Sequence, residues 1–282
     1  MYQRKIVIGF DGSPSADAAL AWALDEANRT GARAELVYAD EWSAWGPATA
    51  GEHVDPAAGD MLRRAVAAAR RTHPGVGVTA TTVPALACTA LADRSDRAGM
   101  IVLGTRGHSA LAGLVGSVGA AVGAHAHCPV VVVHGDVRAT APVVAGVDDS
   151  PSAAAVLRFA ARQAAGRGVG LRVLRIGTPD GRRAHAAPFG ELVAAVRAGF
   201  PGLDIEAETV RDDPAGALVT AGDTAQLLVV GARGHGAVRG LLLGTVSRHL
   251  LRHAGCPVAI VHDAGRSGPV PRARRAPLVA GV

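Results

Sequence analysis

Lysine is nearly absent from this 282-residue sequence: Lys5 is the only one, against 28 arginines. Aromatic residues make up only 3% of the chain, which excludes the stacked rings that hold single-stranded nucleic acid. With so few rings, the core must be built from Ala, Val and Leu. Cysteine is scarce as well. Cys88, Cys128 and Cys256 are odd in number and form no Cys-x-x-Cys pair, which argues against a disulfide framework and for a reducing compartment, the cytoplasm. No charged residue occurs between Gly107 and Gly135, but histidines, Pro129 and many glycines interrupt that stretch. Its later counterpart carries Arg239, Arg248 and Arg252, which a bilayer would penalise, so no membrane span is expected. The first ten residues run straight into a strand-like segment, leaving no room for a signal peptide.

What is present points to a packed globular chain: 49% hydrophobic and 19% charged residues exclude global disorder. The net charge of +5 suggests a nucleic-acid binder, but the arginines are scattered through both halves. Only Arg272, Arg274 and Arg275 cluster tightly, near the end of the chain. The basicity therefore reads as composition bias, with solubility as its physical effect, and nucleic acid is not the expected partner.

A duplication organises the chain. The run from Ile6 to Pro14 matches the run from Val143 to Pro151, Ile101 to His108 matches Leu228 to His235, and Ala126 to Val130 matches Ala254 to Val258. Three blocks in the same order imply two copies of one domain, at residues 1–135 and 142–263, with a flexible Pro- and Arg-rich tail at 264–282. The offsets between blocks are 137, 127 and 128 (148 − 11, 231 − 104, 256 − 128). The first copy is therefore longer between its first two blocks, an excess assigned to a loop at residues 41–60. It is one residue shorter between Gly107 and Ser117.

Each copy alternates strand and helix. Strands are expected at residues 6–10, 35–39, 76–83, 100–103 and 130–134, and again at 143–147, 171–176, 204–210, 227–230 and 258–262. Continuous apolar runs suit strands buried on both faces. Ser13 is placed to cap the next helix, with Pro14 in its first turn, and Leu20, Ala23, Leu24 and Ala27 repeat at helical spacing. Further helices are expected at 61–71, at 87–96 and from Ser117. The pattern predicts two tandem doubly wound α/β domains, each a parallel sheet with helices on both faces.

The most specific motif lies in the second copy. Gly231, Ala232, Arg233 and Gly234 are followed by nine residues and then by Gly244, Thr245, Val246 and Ser247. Glycines allow positive φ and close approach of a ligand. The following helix offers unpaired N–H groups and a dipole that favours an anion. Thr245 and Ser247 add hydroxyl donors. This is a phosphate cradle, and not a Walker A loop, because no Gly-Lys-Ser/Thr is present.

On these residues the chain resembles the universal stress protein family, over roughly residues 3–134 and 142–263. The family's nucleotide-binding pattern is Gly, two residues, Gly, nine residues, Gly, then Ser or Thr, which Gly231, Gly234, Gly244 and Thr245 match. Asp11 and Asp148 at the ends of the first strands match as well. The resemblance implies five-stranded sheets of order 3-2-1-4-5, a pseudo-dimer within one chain, and ATP between the first and fourth strands. Mg²⁺ is open to accompany the phosphates, with few protein ligands. The candidate binding residues are Gly146, Asp148, Gly231, Ala232, Arg233, Gly234, His235, Gly244, Thr245, Val246 and Ser247 in the second copy, where Asp148 also reads as a helix cap and His235, like His108, as a loop residue. In the first they are Gly9, Asp11, Gly104, Thr105, Arg106, Gly107, Gly116 and Ser117. Here only eight residues separate Gly107 from Gly116, and Gly119 stands where the second copy has Ser247, so weaker binding is expected.

The expected function is a nucleotide-responsive regulator without turnover, acting through an unidentified protein partner, with homodimers open to it. The alternative is a weak ATP-hydrolysing or phosphate-transferring enzyme. It needs a base and a metal-binding carboxylate, and neither motif loop contains Asp or Glu. A third class, nucleic-acid binding through the arginine tail, would show salt-dependent affinity. Arg233 and Arg106 suit phosphate oxygens or are exposed loop arginines, and the sequence leaves both readings open. His249, His253 and Cys256 lack a fourth ligand, so no metal site is expected. Asp149 reads as a solvated or capping residue, and Cys128 and Cys256 read as small core residues.

Overall fold

A computed structural model describes residues 5–41, 56–107, 117–135, 138–176, 188–210, 213–234 and 243–262. The first half runs β1 (Lys5–Gly9), α1 (Pro14–Thr30), β2 (Ala34–Ala39), α2 (Pro56–Thr72), β3 (Val78–Val83), α3 (Ala87–Ala92), β4 (Ala98–Gly104), α4 (Ser117–His125) and β5 (Val130–Val133). The second runs β6 (Val143–Val147), α5 (Ala153–Arg167), β7 (Leu171–Ile176), α6 (Phe189–Gly199), β8 (Ile205–Val210), α7 (Pro214–Gly222), β9 (Leu227–Gly231), α8 (Thr245–His253) and β10 (Val258–Val261).

All ten strands join one sheet of order β3-β2-β1-β4-β5-β10-β9-β6-β7-β8. Each half therefore has the order 3-2-1-4-5. Neighbours within a half are parallel, while β5 and β10 pair antiparallel, with Val131 opposite Ala259. Every residue of β5 and β10 is buried, which explains their unbroken Val, Ala and Ile sequences. One face of the sheet packs against α1, α2, α5 and α6 through Leu20, Trp22, Leu157 and Phe159. The other packs against α3, α4, α7 and α8 through Leu91, Val122, Leu218 and Leu250.

Local chemistry sets the helix ends. Ser13 accepts a hydrogen bond from the Ala16 N–H at 3.2 Å and Pro14 opens α1. Gly31 ends α1 at φ 67° and Gly168 ends α5 at φ 68°, a left-handed conformation that side chains resist. Those two glycines are 137 residues apart, so α1 and α5 align without a gap. The linker turns at residues 138–141 and is held by Gln226, whose amide donates to the carbonyls of Ala139 and Ala141 at 3.3 and 2.5 Å.

Several boundaries differ from the expectation. Residues 56–60, assigned to a loop, form the first turn of α2, which Pro56 opens. The helix expected over 87–96 ends at Ala92, where tight turns back to Arg94 lead directly into β4. The rest of the expected loop and the tail lie outside the described residues. Among the described residues, no helix is long and apolar enough to cross a membrane.

Candidate functional site

In the second half the motif residues converge at the carboxyl ends of β6 and β9. These strands are neighbours at the point where the chain reverses its winding, which is where open α/β sheets leave a crevice. Asp148 follows β6, and its Oδ1 accepts from the Ser150 N–H at 3.1 Å. A Cβ added to Gly234 would lie 2.8 Å from Asp148 Oδ2, so the second motif glycine lets this carboxylate approach the loop. Ser150 and Ser152 hydroxyls lie 2.9 Å apart, and Ser152 donates to the Arg233 carbonyl at 3.5 Å. A Cβ on Gly231 would fall 2.6 Å from Ser152 Oγ.

The loop is anchored on its other side by the sheet and by α8. The Ala232 N–H donates to the Val261 carbonyl at 2.9 Å, and the Gly244 N–H donates to the Ala232 carbonyl at 2.9 Å. Gly244 caps α8 with φ −61° and ψ 153° and offers no side chain to the first-turn N–H groups. Thr245 is exposed and Val246 is half-buried at this helix start. α8 thus starts without a side-chain cap, next to the space bounded by the backbone of residues 232–234. A Cβ on Gly244 would enter that space, 3.5 to 3.7 Å from Ala232 O, Arg233 Cα and Gly234 N. Arg233 is half-buried beside the loop.

The first half repeats the core of this arrangement. Asp11 Oδ1 accepts from the Ser13 N–H at 3.0 Å, and a Cβ on Gly107 would lie 2.5 Å from Asp11 Oδ2. Ser13 and Ser15 both donate to the Arg106 carbonyl, Ser13 at 3.2 Å. Arg106 is exposed and Thr105 half-buried. Gly116, His108 and His235 lie outside the described residues. Ser117 begins α4, and its side chain is also outside them.

Three expectations need correction. None of the motif glycines 104, 107, 231, 234 and 244 has positive φ, so close approach explains them and not backbone freedom. Ser247 is buried, and its hydroxyl donates to the Gly231 carbonyl at 2.6 Å. A hydroxyl has one proton to give, so Ser247 ties α8 to the loop and does not supply a phosphate donor. Gly9 and Gly146 serve the core. Their Cβ positions lie 2.5 Å from Leu103 and 2.7 Å from Leu218, so their bareness admits packed leucines.

Sequence reading missed Ser15, Ser150 and Ser152. The signal was the Ser-Pro-Ser that follows the aspartate in both copies. Asp149 is not simply solvated: it accepts twice from Arg175, at 3.0 Å each, and Arg175 also lies over the Phe189 ring. His262, after β10, meets the Gly123 carbonyl at 2.8 Å, and burial lowers its pKa despite that contact. Burial pushes the Cys256 thiol up to about 11, as suits a core residue. His249 and His253 stack at 4.3 Å, and among the described residues no three metal-ligating side chains cluster.

The arrangement defines a class: a tandem doubly wound α/β protein with a glycine-rich loop and helix start at the switch point of its sheet. A sequence model of the Universal stress protein family matches residues 1–134 and 179–262. A universal stress protein of Mycobacterium tuberculosis H37Rv is 32% identical, covering 92% of this chain and 96% of that one. One from Mycobacterium bovis is 30% identical, covering 93% and 98%. The crystal structure of a universal stress protein from Archaeoglobus fulgidus superimposes with a TM-score of 0.68 at 20% identity, covering 92% of this chain and 97% of that one. The chain belongs to the universal stress protein family.

Proposed function

We propose that the chain is an ATP-binding regulator that responds to nucleotide without turning it over. The observation that supports this reading most is Gly244. Its backbone angles suit any residue, and the protein itself leaves ordinary contact distance around a Cβ there. Glycine at this position is explained by something that must come close to the loop and the uncapped α8 amides. Those amides and the helix dipole suit phosphate oxygens. Gly231, Ala232, Arg233, Gly234, Gly244, Thr245 and Val246 would line the phosphates in the second half. Asp148, at the strand end, would meet the nucleoside. In the first half Gly104, Thr105, Arg106, Gly107, Gly116 and Ser117 would do so with Asp11.

Mg²⁺ would be carried on the phosphates, since bound Mg²⁺ keeps most of its ligands from phosphate and water. Asp148 already holds Ser150 and packs against Gly234, so it is poorly placed to orient an attacking water. Nucleotide occupancy would shift the population of surfaces offered to a regulatory partner in the cytoplasm. The units acting are two universal stress protein domains, at 1–135 and 142–263.

Mass spectrometry of ligand released from freshly purified protein, followed by calorimetric titration with ATP and GTP, tests the reading. Bound adenine nucleotide and preferential ATP binding are expected. Failure of ATP to bind refutes the proposal, and sustained phosphate release of about 1 s⁻¹ or faster makes the chain an enzyme instead.

A further inference from the structure

The seam between the halves carries an approximate two-fold axis. Equivalent strands β5 and β10 pair antiparallel about Val131 and Ala259. Helices α1 and α5 lie over the seam on one face, and α4 meets α8 on the other. Under the 137-residue offset fixed by Gly31 and Gly168, each seam residue of α1 has a mate on α5. Trp22 matches Phe159, Asp25 matches Arg162, Glu26 matches Gln163, Arg29 matches Gly166 and Thr30 matches Arg167.

At the axis Glu26 meets its mate Gln163 and Arg29 meets its mate Gly166, and the mates are not alike. Gln163 donates its amide to Glu26 Oε1 at 3.0 Å. Arg167 donates to Glu26 Oε2 at 2.9 Å, and Arg29 donates to Oε1 at 2.5 Å. The Glu26 side chain is 2% exposed, so one buried carboxylate is shared by two arginines and an amide drawn from both halves. Burial opposes its ionisation, but the Arg29 hydrogen bond and the Arg167 and Arg29 charges outweigh that, and its pKa is lowered. A Cβ on Gly166 would overlap the Arg29 guanidinium, so the mate of Arg29 is the residue that leaves room for it. Arg167 also lies 5.4 Å from the centroid of the Trp22 ring.

We propose that residues 26, 29 and 30 of α1 and residues 163, 166 and 167 of α5 form a heterotypic lock that pairs a first half with a second half and rejects pairing of like halves. First half against first half would set Arg29 against Arg29, in space that exists only over Gly166, and Glu26 beside Glu26. Second half against second half would bury two copies of Arg167 with no carboxylate between them. Each like pairing thus meets its own penalty, one steric and one electrostatic. Only the mixed pairing satisfies every group. Duplication makes this possible, because two identical chains cannot present glutamate and glutamine to each other at one axis. The partner surface that each half selects is the other type of half.

The test exchanges the three residues between halves in the full chain. E26Q/R29G/T30R makes both seam faces like the second half, and Q163E/G166R/R167T makes both like the first. Each should let the β5 and β10 amides exchange hydrogen at least about a hundredfold faster, the scale of breaking a buried ion pair. Combining all six substitutions exchanges the lock and should return seam protection to within about tenfold of the parent. Q163E alone is a milder probe, and it should speed seam exchange less than the triple variant. Unchanged exchange in both triple variants overturns the proposal. So does a six-fold variant that is no better protected than the triples or does not fold.

Discussion

Replacing Gly244 by alanine should separate the proposed nucleotide binding from folding. The parent backbone there, φ −61° and ψ 153°, is open to every residue. The added methyl would meet Ala232 O at 3.5 Å and Gly234 N at 3.7 Å, ordinary contact distances. Alanine caps a helix less well than glycine, so a stability loss of up to about 1 kcal/mol is expected. The methyl would occupy the gap between the loop backbone and the α8 amides, where phosphate oxygens are proposed to lie. Losing one charge-assisted hydrogen bond costs about 1.5–3 kcal/mol, or roughly 10- to 150-fold in Kd. Gly234→Ala is a useful contrast, because its Cβ would displace Asp148 Oδ2 at 2.8 Å and so perturb the protein itself. Calorimetric titration with ATP, alongside urea denaturation, reads both quantities. Unchanged affinity in Gly244→Ala at full stability refutes the cradle, as does an affinity loss that merely follows unfolding.

Ser247→Ala removes the bond to the half-buried Gly231 carbonyl and should lower stability by about 0.5–1.5 kcal/mol in urea unfolding. Glu26→Gln should cost about 3–5 kcal/mol at neutral pH, because Arg29 and Arg167 lose their carboxylate. The folded pKa of Glu26 lies below its ordinary 4.5, so its contribution is present above pH 4.5 and fades as pH falls through the folded value. The stability difference between parent and Glu26→Gln should therefore shrink in acid, and a pH-independent difference would refute it. Titration should detect one tight ATP site per chain, lost in Gly244→Ala, with the first half weaker. Two equal sites would contradict the argument from its shorter motif spacing.

Most of the fold could be read from the sequence because the duplication checked each element twice. The apolar run at 143–147 coincides with β6, since a strand buried along its whole length leaves little doubt about its ends. β7 matches the expected 171–176 although Arg172 and Arg175 interrupt its apolar residues. Helix limits were less legible. α2 starts at Pro56, ahead of the expected Met61; Gly59 and Asp60 look like loop residues, and only Pro56 signals the turn. The motif spacing located the loop, but the roles within it depend on contacts between distant segments. Ser247 looked like a ligand donor until its bond to Gly231 appeared. Gly146 looked like a binding glycine, but Leu218, 72 residues away in sequence, fills the space beside it. The partnership of Glu26 with Gln163 was equally hidden, since neither residue is unusual in its own helix.

Two separate five-stranded sheets would have four outer strands with unpaired backbone groups. Stitching β5 to β10 removes two of them and leaves β3 and β8 at the far ends. Such edges invite pairing with foreign strands. β8 reads Ile-Glu-Ala-Glu-Thr-Val, with Glu206 and Glu208 turned outward, and β3 carries exposed Thr79. Glu208 is tied to Arg172 of β7 at 2.6 Å, so that margin is charged and polar, and threonines at the other add no greasy stripe. The fused sheet is thereby discouraged from growing sideways into aggregates.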